Sequence, residues 1–292
     1  MRWLSRVDCV WSPRVLTLLT TVPRVVWLIQ ENDASARRNA FFMLYNASEE
    51  LALEFFARIA EDPAAQPEGL QLAILEFARK VCKSNPQQKS RFIAVIFGFL
   101  SSPTPAVSFE AASTVVSLSA APTAIRAAAQ TFIKLLCKES DNNVKLIVLE
   151  RLAELQKLHT KVMSEIVMDL LRALAAPNLV RSSSVGAMHA AWKCASPFLP
   201  SCTQDIRTKT LDVAMNLVTP RNVEAVVTLL KKEIVKTQES TGDDNQAFQV
   251  LLVEAVHKCV TKYPEVAESV VHLLMDFATS SAVALKVIKF MR

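Results

Sequence analysis

A pattern of about 36 residues recurs along this chain, and a period of that length is built by helix pairs that each lean on the next. Helix-opening positions fall at Asp33, Pro67, Pro103, Asp141 and Pro177, in steps of 34, 36, 38 and 36 residues. Asp accepts hydrogen bonds from the unpaired N–H groups of a first helical turn, and Pro loses nothing there because its missing N–H had no partner. A similar start recurs, displaced downstream, at Asp205-Ile206-Arg207.

Punctuation between these starts agrees with the period. Pro63, Pro67, Pro86, Pro103, Pro122, Pro177, Pro220 and Pro264 each disfavour helix in the residue before them. The spacing predicts helices over 34–46, 49–61, 68–84, 87–101, 105–119, 123–139, 142–158, 161–175, 205–218, 221–238, 246–262, 264–279 and 281–291. In 142–158, Val144, Ile147, Val148, Leu152 and Leu155 share a face, whereas Lys145, Glu150 and Glu154 are expected elsewhere. Its partner carries Val162, Ile166, Val167, Leu170, Leu171 and Leu174, a stripe wide enough for the first helix and for the next repeat. Only 4 Gly occur, where average usage of about 7% would supply roughly 20, and only 2 Tyr, so a sheet would lack turn residues and favoured strand formers. The expectation is an all-α chain of stacked helical hairpins.

Two segments break the rhythm. Residues 238–245 (QESTGDDN) are polar and acidic and read as a loop between helices. Residues 180–204 (VRSSSVGAMHAAWKCASPFLPSCTQ) carry no sustained helical stripe, and removing them restores the period. They are expected to be an insertion, as a disordered loop or as translated intron. The sequence thus divides into 1–30, an irregular segment, and 31–292, a helical array interrupted at 180–204. Arg2, Arg6, Arg14 and Arg24 with the apolar run Val15–Val22 faintly resemble a targeting segment, but Asp8, Pro23 and the lack of a small-residue cleavage site argue against one.

Chemistry is scarce. His159, His189, His257 and His272 are scattered, and the six cysteines at 9, 82, 137, 194, 202 and 259 contain no C-x-x-C pair. His189, Cys194 and Cys202 lack the fourth ligand that a structural zinc needs. Glycines at 69, 98, 186 and 242 cannot assemble a phosphate cradle, and no nucleotide-binding or hydrolase motif is present. Neither catalytic nor cofactor-binding nor metal-binding residues are expected. The net charge of +5 arises from 33 basic and 28 acidic residues, mixed along most of the chain, which argues against a nucleic-acid footprint. The most basic helical stretch holds Lys231, Lys232 and Lys236. It fits the negative end of a helix dipole, or a contact for an acidic partner or lipid headgroup. The longest apolar run, Phe92–Leu100, is far short of the ~20 residues that a spanning helix requires.

Four stretches resemble one family. They are DASARRNAFFMLYNAS at 33–48, SSPTPAVSFEAASTVVSLSAAPTAIRAAAQTFIKLLCKESDNNVKLIVLERLAEL at 101–155, EIVMDLLRALAAPNL at 165–179, and DIRTKTLDVAMNLVTPRNVEAVVTLLKKEIVKT at 205–237. Each is similar to the trunk of the beta subunits of coatomer, the COPI vesicle coat. The resemblance runs from about Glu31 to Arg292 without Val180–Gln204, and the much longer family chains make this one read as a truncated member. It implies a right-handed α-solenoid of HEAT/armadillo-like, adaptin-type hairpins that holds partners and catalyses nothing. The implied partners are the delta, gamma and zeta coatomer subunits and a membrane-recruiting small GTPase of the ADP-ribosylation-factor class. The implied setting is cytoplasmic, peripheral on Golgi membrane and coated vesicles in traffic with the endoplasmic reticulum. A generic HEAT-repeat scaffold in another assembly is the alternative, and a zinc enzyme built on residues 189–202 is a third.

Overall fold

The computed structural model describes residues 33–60, 65–174, 202–238, 243–268, 270, 271 and 275. The expected segment 1–30, most of the expected insertion 180–204, the expected helix 281–291 and the apolar ends Val25–Ile29 and Val283–Ile288 lie outside them. Contacts divide the chain into two compact units, Met1–Ala120 and Ala121–Arg292. Each is made of paired helices, and no strand occurs among the described residues. The all-α hairpin architecture expected from the period is what both units show.

The first unit contains α1 (Ala34–Ala47), α2 (Glu49–Ile59), α3 (Glu68–Ser84), α4 (Lys89–Phe99) and α5 (Pro105–Leu118). The Asp33 carboxylate accepts the Ser35 N–H at 3.0 Å to open α1, and Ser48 Oγ accepts the Leu51 N–H at 3.4 Å to open α2. Pro105 occupies the first turn of α5, where it costs no hydrogen bond. The expected helix 87–101 instead begins as a 3-10 turn at Pro86–Gln88 before α4 takes over, and it ends at Phe99, with Leu100 and Ser101 in a turn. Helix α3 has the expected bounds.

Alternate helices form a row: α1 packs on α3 and α3 on α5, while α2 and α4 close the hairpins. The seam is aromatic. Phe41 of α1 meets Phe77 of α3 edge-on at 5.4 Å, Phe77 meets Phe92 of α4 at 5.7 Å, and Phe92 meets Phe56 of α2 at 4.4 Å. All four rings are at most 2% exposed, so they join the four helices with both area burial and ring-edge electrostatics. Arg79 Nη1 donates to Glu110 Oε2 at 2.6 Å from α3 to α5. That pair sets register more than it adds stability, because both side chains stay about a third exposed.

The second unit contains α6 (Pro122–Lys138), α7 (Asn142–Leu158), the single turn α8 (Thr160–Met163), α9 (Val167–Leu174), α10 (Cys202–Asn216), α11 (Val223–Gln238) and α12 (Asp243–Lys262), followed by a 3-10 turn at Pro264–Val266. One row runs α7, α10, α12 and the other α6, α9, α11. Helix α10 packs directly on α7 although 60 residues separate their starts, so the row continues past residues 175–201. Asp141 caps α7 through the Asn143 N–H at 2.9 Å, and α7 has the expected bounds. Asp205 does not open α10, which already begins at Cys202.

Two further expectations are corrected. Lys145 is 1% exposed and Ile147 51% exposed, the reverse of their placement by periodicity. The reason is that α7 is covered by α6 and also by α10, so its buried arc is Lys145, Val148, Leu149, Leu152 and Leu155, turned from the single stripe read in the sequence. The helix expected over 161–175 is broken at Ser164–Ile166. There the Ile166 N–H bonds to Met163 O and the Asp169 N–H to Ile166 O, both at 3.0 Å, in a tighter i−3 pattern. Phe77→Ala removes the ring on which α1, α3 and α4 converge. It is expected to cost about 3–5 kcal/mol in guanidinium denaturation, against less than about 0.5 kcal/mol for the exposed Lys83→Ala.

Candidate docking surface

Ends of α6, α9 and α11 are brought together by side chains remote in sequence. Near the start of α6, Arg126 pairs with Glu165, just before α9. Asn222, just before α11, donates its amide N–H groups to Ser164 O and Leu217 O, both at 3.2 Å, while its Oδ1 accepts the Thr219 N–H at 2.7 Å. Ser164 lies in the break before α9, where carbonyls have lost regular helical partners. The N-terminal ends of the three helices are therefore neighbours, and the helices run alongside one another toward a common C-terminal edge.

Cations gather on that edge. Lys134 and Lys138 of α6 and Lys232 of α11 are exposed, as are Arg172 of α9 and Lys236 of α11. Measured from Arg126, Glu165 and Asn222, respectively, Lys134, Arg172 and Lys232 stand about 12, 10 and 15 Å along their helices at a 1.5 Å rise per residue. Lys134, Arg172 and Lys232 therefore fall within about one helical turn of one another, with Lys138 and Lys236 a turn beyond Lys134 and Lys232. Arg172 bonds Asp169 at 3.0 Å and Lys236 bonds Glu233 at 2.6 Å, whereas Lys134, Lys138 and Lys232 form no ion pair among the described residues.

Of the three lysines singled out by sequence, Lys232 and Lys236 are on this edge and exposed, and Lys231 is half-buried. Lys134, Lys138 and Arg172 were missed because each is unremarkable in its own helix. Their signal is period: Lys134 and Arg172 are one repeat apart, and Lys232 follows once residues 180–204 are skipped. His189 and Cys194 lie outside the described residues. No group of His, Cys, Asp and Glu placed to hold a metal occurs among the described residues, and no described helix is long and apolar enough to cross a membrane.

A small cleft of about 180 Å³ opens between α10 and α12, lined by Asp212, Met215, Lys258, Cys259, Lys262 and Tyr263 among others. The Tyr263 hydroxyl donates to Val218 O at 2.9 Å and the Cys259 thiol lies 3.9 Å from Met215 Sδ, so both polar groups are engaged in packing the cleft wall. Burial pushes the Cys259 thiol up to about 11 despite the lowering pull of Lys262. Burial likewise raises Cys82, against a lesser opposing pull from Lys89, and Cys137. These thiols stay protonated near neutrality and are poor nucleophiles.

Compared with known proteins, the chain matches the family described as the adaptin N terminal region over residues 13–190 and 195–292. It is 45% identical over 267 residues to coatomer subunit beta-2 of Arabidopsis thaliana, covering 91% of this chain and 26% of that one. It is 47% identical over 295 residues to coatomer subunit beta-2 of Oryza sativa subsp. japonica, covering 99% and 28%. With coatomer subunit beta of Rattus norvegicus it shares 41% identity over 282 residues, covering 94% and 27%. The chain spans about a quarter of the length of these curated relatives.

Asn222→Ala strands two carbonyls and one N–H, and is expected to lower stability by about 1–3 kcal/mol in chemical denaturation. The raised Cys259 value means that the native state holds this proton more tightly than the unfolded chain does. The stability it contributes is complete below pH 9.0 and is lost as pH rises toward about 11. Thermal melts across that window should fall less steeply for Cys259→Ala.

Proposed function

The chain belongs to the adaptin N-terminal family, and on that premise we propose that it serves as a non-enzymatic scaffold of the COPI vesicle coat. The observation that supports this reading is identity of 41–47% to coatomer beta subunits from plants and a mammal, over 91–99% of the chain. Similarity of that extent is shared along the whole helical array, beyond what a 36-residue period by itself would impose. The physical character of the two units agrees with it. Their buried surface is spent on joining helix to helix, which leaves long outer faces on which other chains can dock.

The scaffold holds the delta subunit and the gamma and zeta subunits of the coat. It is recruited to Golgi membrane by a GTP-loaded small GTPase of the ADP-ribosylation-factor class, and works in transport between Golgi and endoplasmic reticulum and within the Golgi. In this reading the protein is cytoplasmic, attaches peripherally, uses no cofactor and has no nucleic-acid partner.

Capture experiments test it. The immobilised chain is expected to retain full-length delta subunit and the gamma–zeta pair, and to retain the GTPase in its GTP form in preference to its GDP form. Failure to retain any of them, with helicity and cooperative melting of the chain demonstrated, overturns the assignment and leaves a helical-repeat scaffold of some other assembly.

A further inference from the structure

The cationic edge of α6, α9 and α11 exceeds what helix dipoles demand. A macrodipole favours a cation in the last turn, and its influence fades beyond that turn. Lys138 and Arg172 fit the requirement, but Lys134 and Lys232 lie more than a turn before the ends of α6 and α11. Both are exposed and form no ion pair among the described residues. The Arg126–Glu165 and Asn222–Ser164 contacts keep the three helices in step, so these two lysines and Arg172, itself paired with Asp169, fall within about one helical turn of one another and form an uneven line across three packed helices.

We infer that this line is the docking site of an acidic α-helix from a protein partner, lying across α6, α9 and α11. Packed helices are spaced about 8–10 Å apart, and seven residues of an α-helix advance about 10.5 Å. A partner helix crossing the row therefore meets Lys134, Arg172 and Lys232 in turn with a carboxylate at every seventh position. Val235, 46% exposed beside Lys232 and Lys236, adds an apolar contact such as an interface uses. Anionic lipid fits less well. The opposite end of the same row carries Glu165 and Glu224, roughly 10–12 Å away by helix rise, and Asp169 is paired with Arg172 itself, so a flat sheet of phosphates meets carboxylates together with the lysines.

This inference rests on the scaffold role proposed above and names the chemistry of one partner. Its test uses the full chain and a labelled synthetic helical peptide of about 20 residues with Glu at every seventh position, followed by fluorescence anisotropy at low and moderate salt. Binding is expected, weakening as salt rises. The combined Lys134→Glu, Arg172→Glu, Lys232→Glu variant should bind about tenfold more weakly or worse, and a peptide with Lys at the same positions should restore binding to it. A milder Lys134→Gln, Lys232→Gln variant guards against misfolding, with circular dichroism and melting as controls, and should show an intermediate loss. Absence of binding to the wild-type chain, or equal binding by the folded triple variant, overturns the proposal. So does sedimentation with phosphatidylcholine–phosphatidylserine vesicles that depends on these residues while the peptide does not bind. Coat-subunit capture measured on the same variant separates the two readings: capture with no peptide binding by the wild type sinks only the docking line.

Discussion

Helix α7 is withdrawn from water on two flanks at once, by α6 of its own hairpin region and by α10 of the next repeat, and this doubled coverage sets the terms for the rest of the second unit. A hairpin alone leaves one apolar flank wet, so each pair is completed by the next. The first unit solves the same problem with rings. Phe41, Phe77, Phe92 and Phe56 touch in sequence, so four helices meet around one continuous aromatic seam. Both solutions place core residues along the direction of stacking and leave the outer faces of the rows free of packing duties.

That division of labour gives the outer faces their chemistry. In the row α6, α9, α11, the last turns carry Lys138, Arg172 and Lys236 and the first turns of α9 and α11 carry Asp169 and Glu224, placements that helix dipoles favour. Because the rows are kept in step by Arg126 and Asn222, charges that are scattered in sequence become an aligned edge. Register thus converts a statistical preference of single helices into a surface with direction.

Much of the fold was legible because the period is marked by residues with strong local effects. Asp33 and Asp141 cap helices as their chemistry requires, and five of the eight punctuating prolines lie within two residues of a helix boundary. The reading failed where partners in space decide the outcome. Lys145 is buried in a helix packed on two sides, one of them formed by a helix 60 residues on, and nothing adjacent in the chain announces that. The break at Ser164–Ile166 is stabilised by Asn222, which looks like an ordinary turn residue in the sequence. The basic cluster was seen in α11 alone, since the alignment of Lys134 and Arg172 with it depends on which helix ends are neighbours. Residue type predicted the elements, and only their mutual placement assembled the edge.

The helix ends have one more implication. Described C-caps such as Ser48, Ser119 and Glu139 leave the helix directly into extended backbone, and no described residue has positive φ. Gly69 sits within a helix with an ordinary 3.5 Å clearance to Arg38 where a side-chain carbon would be added. Since left-handed backbone is what makes glycine irreplaceable at helix ends, the described joints hold no position that a single amino acid must own for conformational reasons. Divergence in this lineage is thereby limited by volume in the seams and by side chains that cap or bridge at the corners, such as Asp141 and Asn222, and not by backbone conformation there.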